Sequence, residues 1–75
     1  MAVPDLEHAV RQSLLEHVDV PISPSAPLDL PSLAVISLVE HFEELLSFRA
    51  RPADVTAENF GTIERIVAYL ERQVR

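Results

Sequence analysis

Residues 28–44 read LDLPSLAVISLVEHFEE, and the spacing of their apolar side chains decides the fold. Leu33, Ile36, Leu38, Val39, Phe42, Leu45 and Leu46 predict a helix from Pro31 or Ser32 to about Leu46, with apolar residues over more than half its circumference. Such a helix is either the central one of its domain or carries an exposed apolar strip that meets partners. Its polar face holds Ser37, Glu40, Glu43 and Glu44. These carboxylates lie three and four residues apart, where like charges cost a few tenths of a kcal/mol per pair. Selection for stability alone would tend to put an arginine among them. At the head of the helix, Ser32 has two readings. It can cap the backbone, although Val35 three residues later rules out a reciprocal capping box. Alternatively, with Pro31 in the first helical position, the Ser32 hydroxyl lies beside unpaired N–H groups at the positive end of the helix dipole. A phosphodiester on it would be well tolerated there.

The flanking segments complete a helical chain. Upstream, Val3, Leu6, Val10, Leu14 and Val18 recur at spacings of three and four, predicting an amphipathic helix over 3–18, with Pro4 suited to its first turn and Asp5 and Glu7 complementing its dipole. Between the two helices, DVPISPSAPLDLP (19–31) holds four of the six prolines. Its apolar residues Val20, Ile22, Leu28 and Leu30 predict a loop lying down on the core. Downstream, SFRARP (47–52) reads as an irregular basic connection. A short helical turn follows from near Thr56, with Gly61, the one glycine of the chain, expected as its left-handed cap. Thr62 is placed to cap a last helix whose stripe is Ile63, Ile66, Val67, Leu70 and Val74. Three long helices, one short one and a long first loop predict an all-α fold, a small antiparallel four-helix bundle forming a single domain over 1–75.

Composition narrows the function. The chain has 75 residues with 48% apolar, enough for one compact core, and has no cysteine, which excludes thiol chemistry by its own side chains. Twelve acidic residues against six basic ones give a formal charge of −6. That charge disfavours nucleic acid and anionic membrane surfaces and favours partners with basic patches. With no apolar run near the ~18 residues of a membrane span and no leader pattern at MAVPDLEH, a soluble cytoplasmic protein is expected. His8, His17 and His41 lie among carboxylates but lack zinc-ligand spacing, so solvated histidines are the default. Ser32 could be drawn into a triad with His17 or His41, but a chain with one glycine offers neither a strained nucleophile turn nor an oxyanion nest. The same lack of glycine argues against a phosphate-cradling loop.

Taken together, PSLAVISLVEHFEE and the later DVTAENFGTIERIVAYL (54–70) resemble the acyl carrier proteins and related thiolation (peptidyl carrier) domains, over nearly the whole chain. The family motif is Asp-Ser-Leu at the head of an aliphatic helix that ends in glutamates. Ser32 and Leu33 stand in the serine and leucine places, Ile36, Leu38 and Val39 follow in register, and Glu43–Glu44 fall in the acidic run. The resemblance implies a discrete carrier protein, not an enzyme, monomeric and complete from Met1 to Arg75. Ser32 would receive a phosphopantetheine arm from coenzyme A through a phosphopantetheinyl transferase. The arm's thiol would hold acyl or aminoacyl thioesters in fatty acid, polyketide or nonribosomal peptide biosynthesis, which accounts for the missing cysteine. Leu33, Ser37, Glu40, Glu43 and Glu44 would meet the loading ligase, synthase or transferase through its basic docking patch. Two features depart from the family. Pro31 occupies the aspartate place, with Asp29 two residues earlier as a displaced charge, and SFRARP replaces a usually acidic connection. The other reading is a degenerate relative that has lost the arm and acts as an acidic helical interaction module.

Overall fold

A computed structural model of the chain describes residues 5–74. Helix α1 runs Leu6–Leu14 and starts where the Asp5 carboxylate accepts the His8 N–H at 3.2 Å. The helix expected over 3–18 is therefore shorter, and Val3 and Pro4 lie outside the described residues. Beyond Leu14 the chain continues as a turn in which His17 and Val18 both donate to the Leu14 carbonyl, at 2.9 and 3.0 Å. That turn keeps Val18 against the core, which is why its spacing reads as helix.

The segment from Leu15 to Pro31 is a loop fastened to the rest at three places. The Arg11 guanidinium donates to the carbonyls of Pro21 and Ile22, at 2.7 and 2.8 Å. Leu28 N–H donates to Gly61 O at 2.7 Å, and Glu64 N–H donates to Pro24 O at 2.9 Å. The last bond satisfies one of the helix-start donors that a helix cannot pair internally. Val18, Val20, Leu28 and Leu30 pack on the core as expected. Ile22 does not: it is 94% exposed, because Arg11 holds the backbone carbonyls on either side of its Cα and the side chain is left outside.

Helix α2 spans Ser32–Leu46 and ends at Ser47, which takes the left-handed conformation (φ 55°, ψ 52°), while Ser47 and Phe48 N–H both donate to Glu43 O. A 3₁₀ turn at Pro52–Asp54 leads to helix α3, Ala57–Phe60, capped by Thr56, and then to helix α4, Ile63–Gln73. Thr62 caps α4 as expected, its hydroxyl accepting the Arg65 N–H at 3.1 Å. Gly61 is not left-handed (φ −79°). It is required for space, because a Cβ there would fall inside van der Waals contact of the Ala57 carbonyl oxygen. With no strand among the described residues, the chain is a small all-helical unit, and its radius of gyration of 11.4 Å is that of a compact domain of this length.

The central helix is α4, not α2. Helices α1 and α3 pack on α4, whereas α2 leans on α1. Ile63, Ile66 and Leu70 have no exposed surface, and with Val10, Leu14, Leu38, Phe42 and Phe60 they form the core. Each such side chain contributes about 1.5–3 kcal/mol by leaving water. Val74 ends the predicted stripe outside the core, exposed at the helix C-terminus. Tyr69, absent from that stripe, is 2% exposed and stacks against Phe48 and Phe60. Its hydroxyl donates to Asp54 Oδ2 at 3.1 Å.

Candidate functional site

Pro31 occupies the N-cap of α2 in extended conformation (φ −61°, ψ 152°), which makes Ser32 the first helical residue and not its cap. Proline has no side-chain acceptor, so no side chain caps α2, whereas Asp5, Thr56 and Thr62 cap α1, α3 and α4. The first intrahelical bond of α2 is Val35 N–H to Pro31 O, at 3.1 Å. Ser32 and Leu33 are both exposed there, Leu33 at 79%. The hydroxyl at Ser32 thus stands in solvent beside helix-start N–H groups that no side chain satisfies, with no acid in the first turn to offset the dipole.

Ser32 also lies at the edge of a groove of about 320 Å³. One wall is the loop, through Leu28 and Leu30; another is the head of α2, through Val35 and Ile36; the floor is Val55, Ala57, Phe60 and Gly61. The Leu28–Gly61 bond holds the loop wall to the floor. Residues 55–61 are the part of the site that sequence reasoning did not single out. The signal for them was present in Leu28 and Leu30, apolar loop residues that needed a surface to lie on.

Of the five residues expected to meet partners, four lie along one exposed stripe of α2. Leu33, Ser37, Glu40 and Glu44 follow one another at spacings of four, three and four, and all are exposed. The stripe runs about 18 Å along the helix from Ser32 to Glu44 at 1.5 Å per residue. Ile36, 51% exposed, flanks it on the groove side. Glu43 is the exception. It is half-buried and its carboxylate accepts the Ala50 N–H at 2.8 Å, so it fastens the connection after α2. The geometry of the α2 end explains this: the left-handed Ser47 folds the chain back beside Glu43, where an acceptor is needed for Ala50. Along the other flank of the stripe from Ile36, the exposed His17 and His41 border a cleft with Ser13, Glu16 and Ser37. No group of three His, Cys, Asp or Glu side chains among the described residues is arranged to hold a metal ion. No helix among them is long and apolar enough to cross a membrane.

Comparison of the chain with protein-family models, with curated proteins and with solved structures returns no match.

Proposed function

We propose that the protein is a carrier of the acyl-carrier and thiolation type, a small antiparallel helical bundle that bears a phosphopantetheine arm on Ser32. The observation that carries this reading is the placement of the Ser32 hydroxyl: exposed, in the first turn of a helix without a side-chain cap, and at the edge of an apolar groove. Modification joins the serine oxygen to the phosphorus of the pantetheine half of coenzyme A as the bond to the nucleotide half breaks, the serine proton passing to the transferase. The arm, when attached, supplies the thiol that a cysteine-free chain lacks and holds acyl or aminoacyl groups as thioesters. The protein's own part is to present and to be recognised. The N–H groups at the start of α2 favour the phosphate charge, the groove offers apolar surface to a bound cargo, and the Leu33–Ser37–Glu40–Glu44 stripe offers an acidic contact to enzymes with a basic patch.

Intact-mass measurement before and after incubation with coenzyme A and a promiscuous phosphopantetheinyl transferase tests the proposal. The expected result is a gain of one phosphopantetheine that is absent from Ser32→Ala. No gain with several transferases, on protein with intact helical circular dichroism, would favour the second reading, an acidic interaction module without the arm. The observation behind that second reading is Pro31, which stands where the resemblance leads one to expect an aspartate.

A further inference from the structure

The groove beside Ser32 lies between two parts of the fold that are held separately. Its α2 wall belongs to a helix that leans on α1, whereas its floor, Val55, Ala57, Phe60 and Gly61, belongs to a segment that packs on α4. That segment, 52–61, is lightly held. Phe60 is its one buried residue, whereas α4 buries Ile63, Ile66, Tyr69 and Leu70. The residues flanking it, Arg51 (φ −86°, ψ 146°) and Thr62 (φ −144°, ψ 161°), are extended and outside any helix, positions of the kind that absorb a swing.

Among the described residues, side-chain hydrogen bonds tie the segment to α4 at three points. Arg65 donates to Glu58 O at 3.2 Å and Arg72 donates to Asn59 Oδ1 at 3.3 Å, both in contact with water. The third runs from the Tyr69 hydroxyl to Asp54 Oδ2 at 3.1 Å and is partly buried, where water competes less. Tyr69 also stacks on Phe60, the ring centroids 5.4 Å apart. One side chain of α4 thus carries both the shielded polar hold and the apolar hold on the segment. Few buried contacts and water-exposed hydrogen bonds mark a unit that opens at less cost than global unfolding.

We propose that segment 52–61 is a hinged floor, latched to α4 by the Tyr69–Asp54 hydrogen bond, and that its release widens the groove while α2 keeps its place. Opening draws Phe60 off Tyr69 and takes the Gly61 carbonyl away from the Leu28 N–H, so a residue of the first loop registers it. A single helical turn does not persist off its support, so the Phe60 N–H is freed as well. Ser32 and the acidic stripe stay on α2, and a partner that reads that helix meets the same surface whether the groove is narrow or wide. The latch goes beyond the carrier reading and does not depend on the arm: a Ser32 that gains no mass would sink that reading and leave the latch intact.

Amide hydrogen exchange at neutral pH, followed residue by residue over a series of low urea concentrations, tests the proposal. The informative amides are Phe60, bonded to Thr56 O at 2.9 Å, Leu28, bonded to Gly61 O at 2.7 Å, and Ile66, bonded to Thr62 O at 3.0 Å in the centre of the core. Phe60 and Leu28 are expected to share one opening, with the same free energy and urea slope, both smaller than those of Ile66, which reports global unfolding. Tyr69→Phe and, separately, Asp54→Ala should speed exchange at Phe60 and Leu28 by about tenfold. Val10→Ala, which weakens the core at α1 away from the latch, should speed Ile66 and leave that pair at the wild-type rate. Exchange of Phe60 and Leu28 only at the urea slope of Ile66 would mean that the floor never opens alone. Leu28 grouping with Glu64, whose N–H goes to Pro24 O, while Phe60 stays apart would mean that the loop lifts and the floor does not. A pair left unmoved by Tyr69→Phe and Asp54→Ala would deny the latch. Any of these three results overturns the proposal.

Discussion

Two hydroxyls, on Ser32 and Tyr69, sit in opposite surroundings, and each gives a prediction at the scale of one residue. Burial, and then the hydrogen bond to the Asp54 carboxylate, push the Tyr69 phenol up to about 12 from 10.0. Folding thus holds a proton that the unfolded chain releases earlier. The resulting stability is whole below pH 10, declines as pH rises from about 10, and is gone above about 12. Tyr69 is the one tyrosine, and there is no tryptophan, so ultraviolet difference absorbance reads it alone. A folded-state midpoint near 10 would contradict the buried pairing, and Tyr69→Phe should remove the loss of stability across that window. Ser32 is the reverse case, a hydroxyl in solvent at an uncapped helix start. A phosphate there should stabilise the protein by about 0.3–1 kcal/mol through the dipole, raising Tm by a few degrees. A lower Tm for the modified protein would mean that the added group disturbs α2 and does not complete it.

The helix ends carry the predictions at the next scale. Gly61→Ala places a methyl group against the Ala57 carbonyl between α3 and α4 and should cost about 1–3 kcal/mol. Ser47→Gly relieves a left-handed non-glycine residue and should gain about 1 kcal/mol. Thermal melts check both, and a neutral Gly61→Ala would show that the α3–α4 junction yields easily. These two positions also mark where the sequence was legible and where it was not. Thr62 and the Ile63–Leu70 stripe could be read directly, because capping and periodicity are local. The glycine was read as supplying a left-handed turn, the commoner reason for one; the backbone instead needed room, and the left-handed residue was a serine that no local rule singles out. Tyr69 was left out of the predicted stripe. Its spacing of three from Ile66 placed it on the buried side.

For the molecule as a whole, the helical class, the Ser32 position and the exposed acidic stripe were readable because each rests on spacing within one segment. The hub role of α4, the groove floor at residues 55–61 and the diversion of Glu43 to Ala50 were not, since each depends on which segments meet. The stripe gives a test at this scale. On the proposed carrier reading, Glu40→Arg/Glu44→Arg should abolish partner-dependent acyl loading while leaving circular dichroism unchanged, and Glu43 is best left in place because it supports the connection. Loading that survives would mean that partners approach elsewhere.

The fastening of the first loop bears on time as well as on shape. Two of its three fastenings, Leu28 to Gly61 and Glu64 to Pro24, join segments far apart in sequence, so the loop settles into place only after much of the chain has been ordered. Weakening one of them should leave the folding rate untouched and speed unfolding instead. For Arg11→Met, which removes the guanidinium from the Pro21 and Ile22 carbonyls, the unfolding arm of the chevron should rise by roughly tenfold while the folding arm superimposes on that of the wild type. A slowed folding arm would place the loop in the nucleus. Because the same loop forms a wall of the groove beside Ser32, Arg11 would also set how often that wall opens, and with it how long anything lodged there is kept from water.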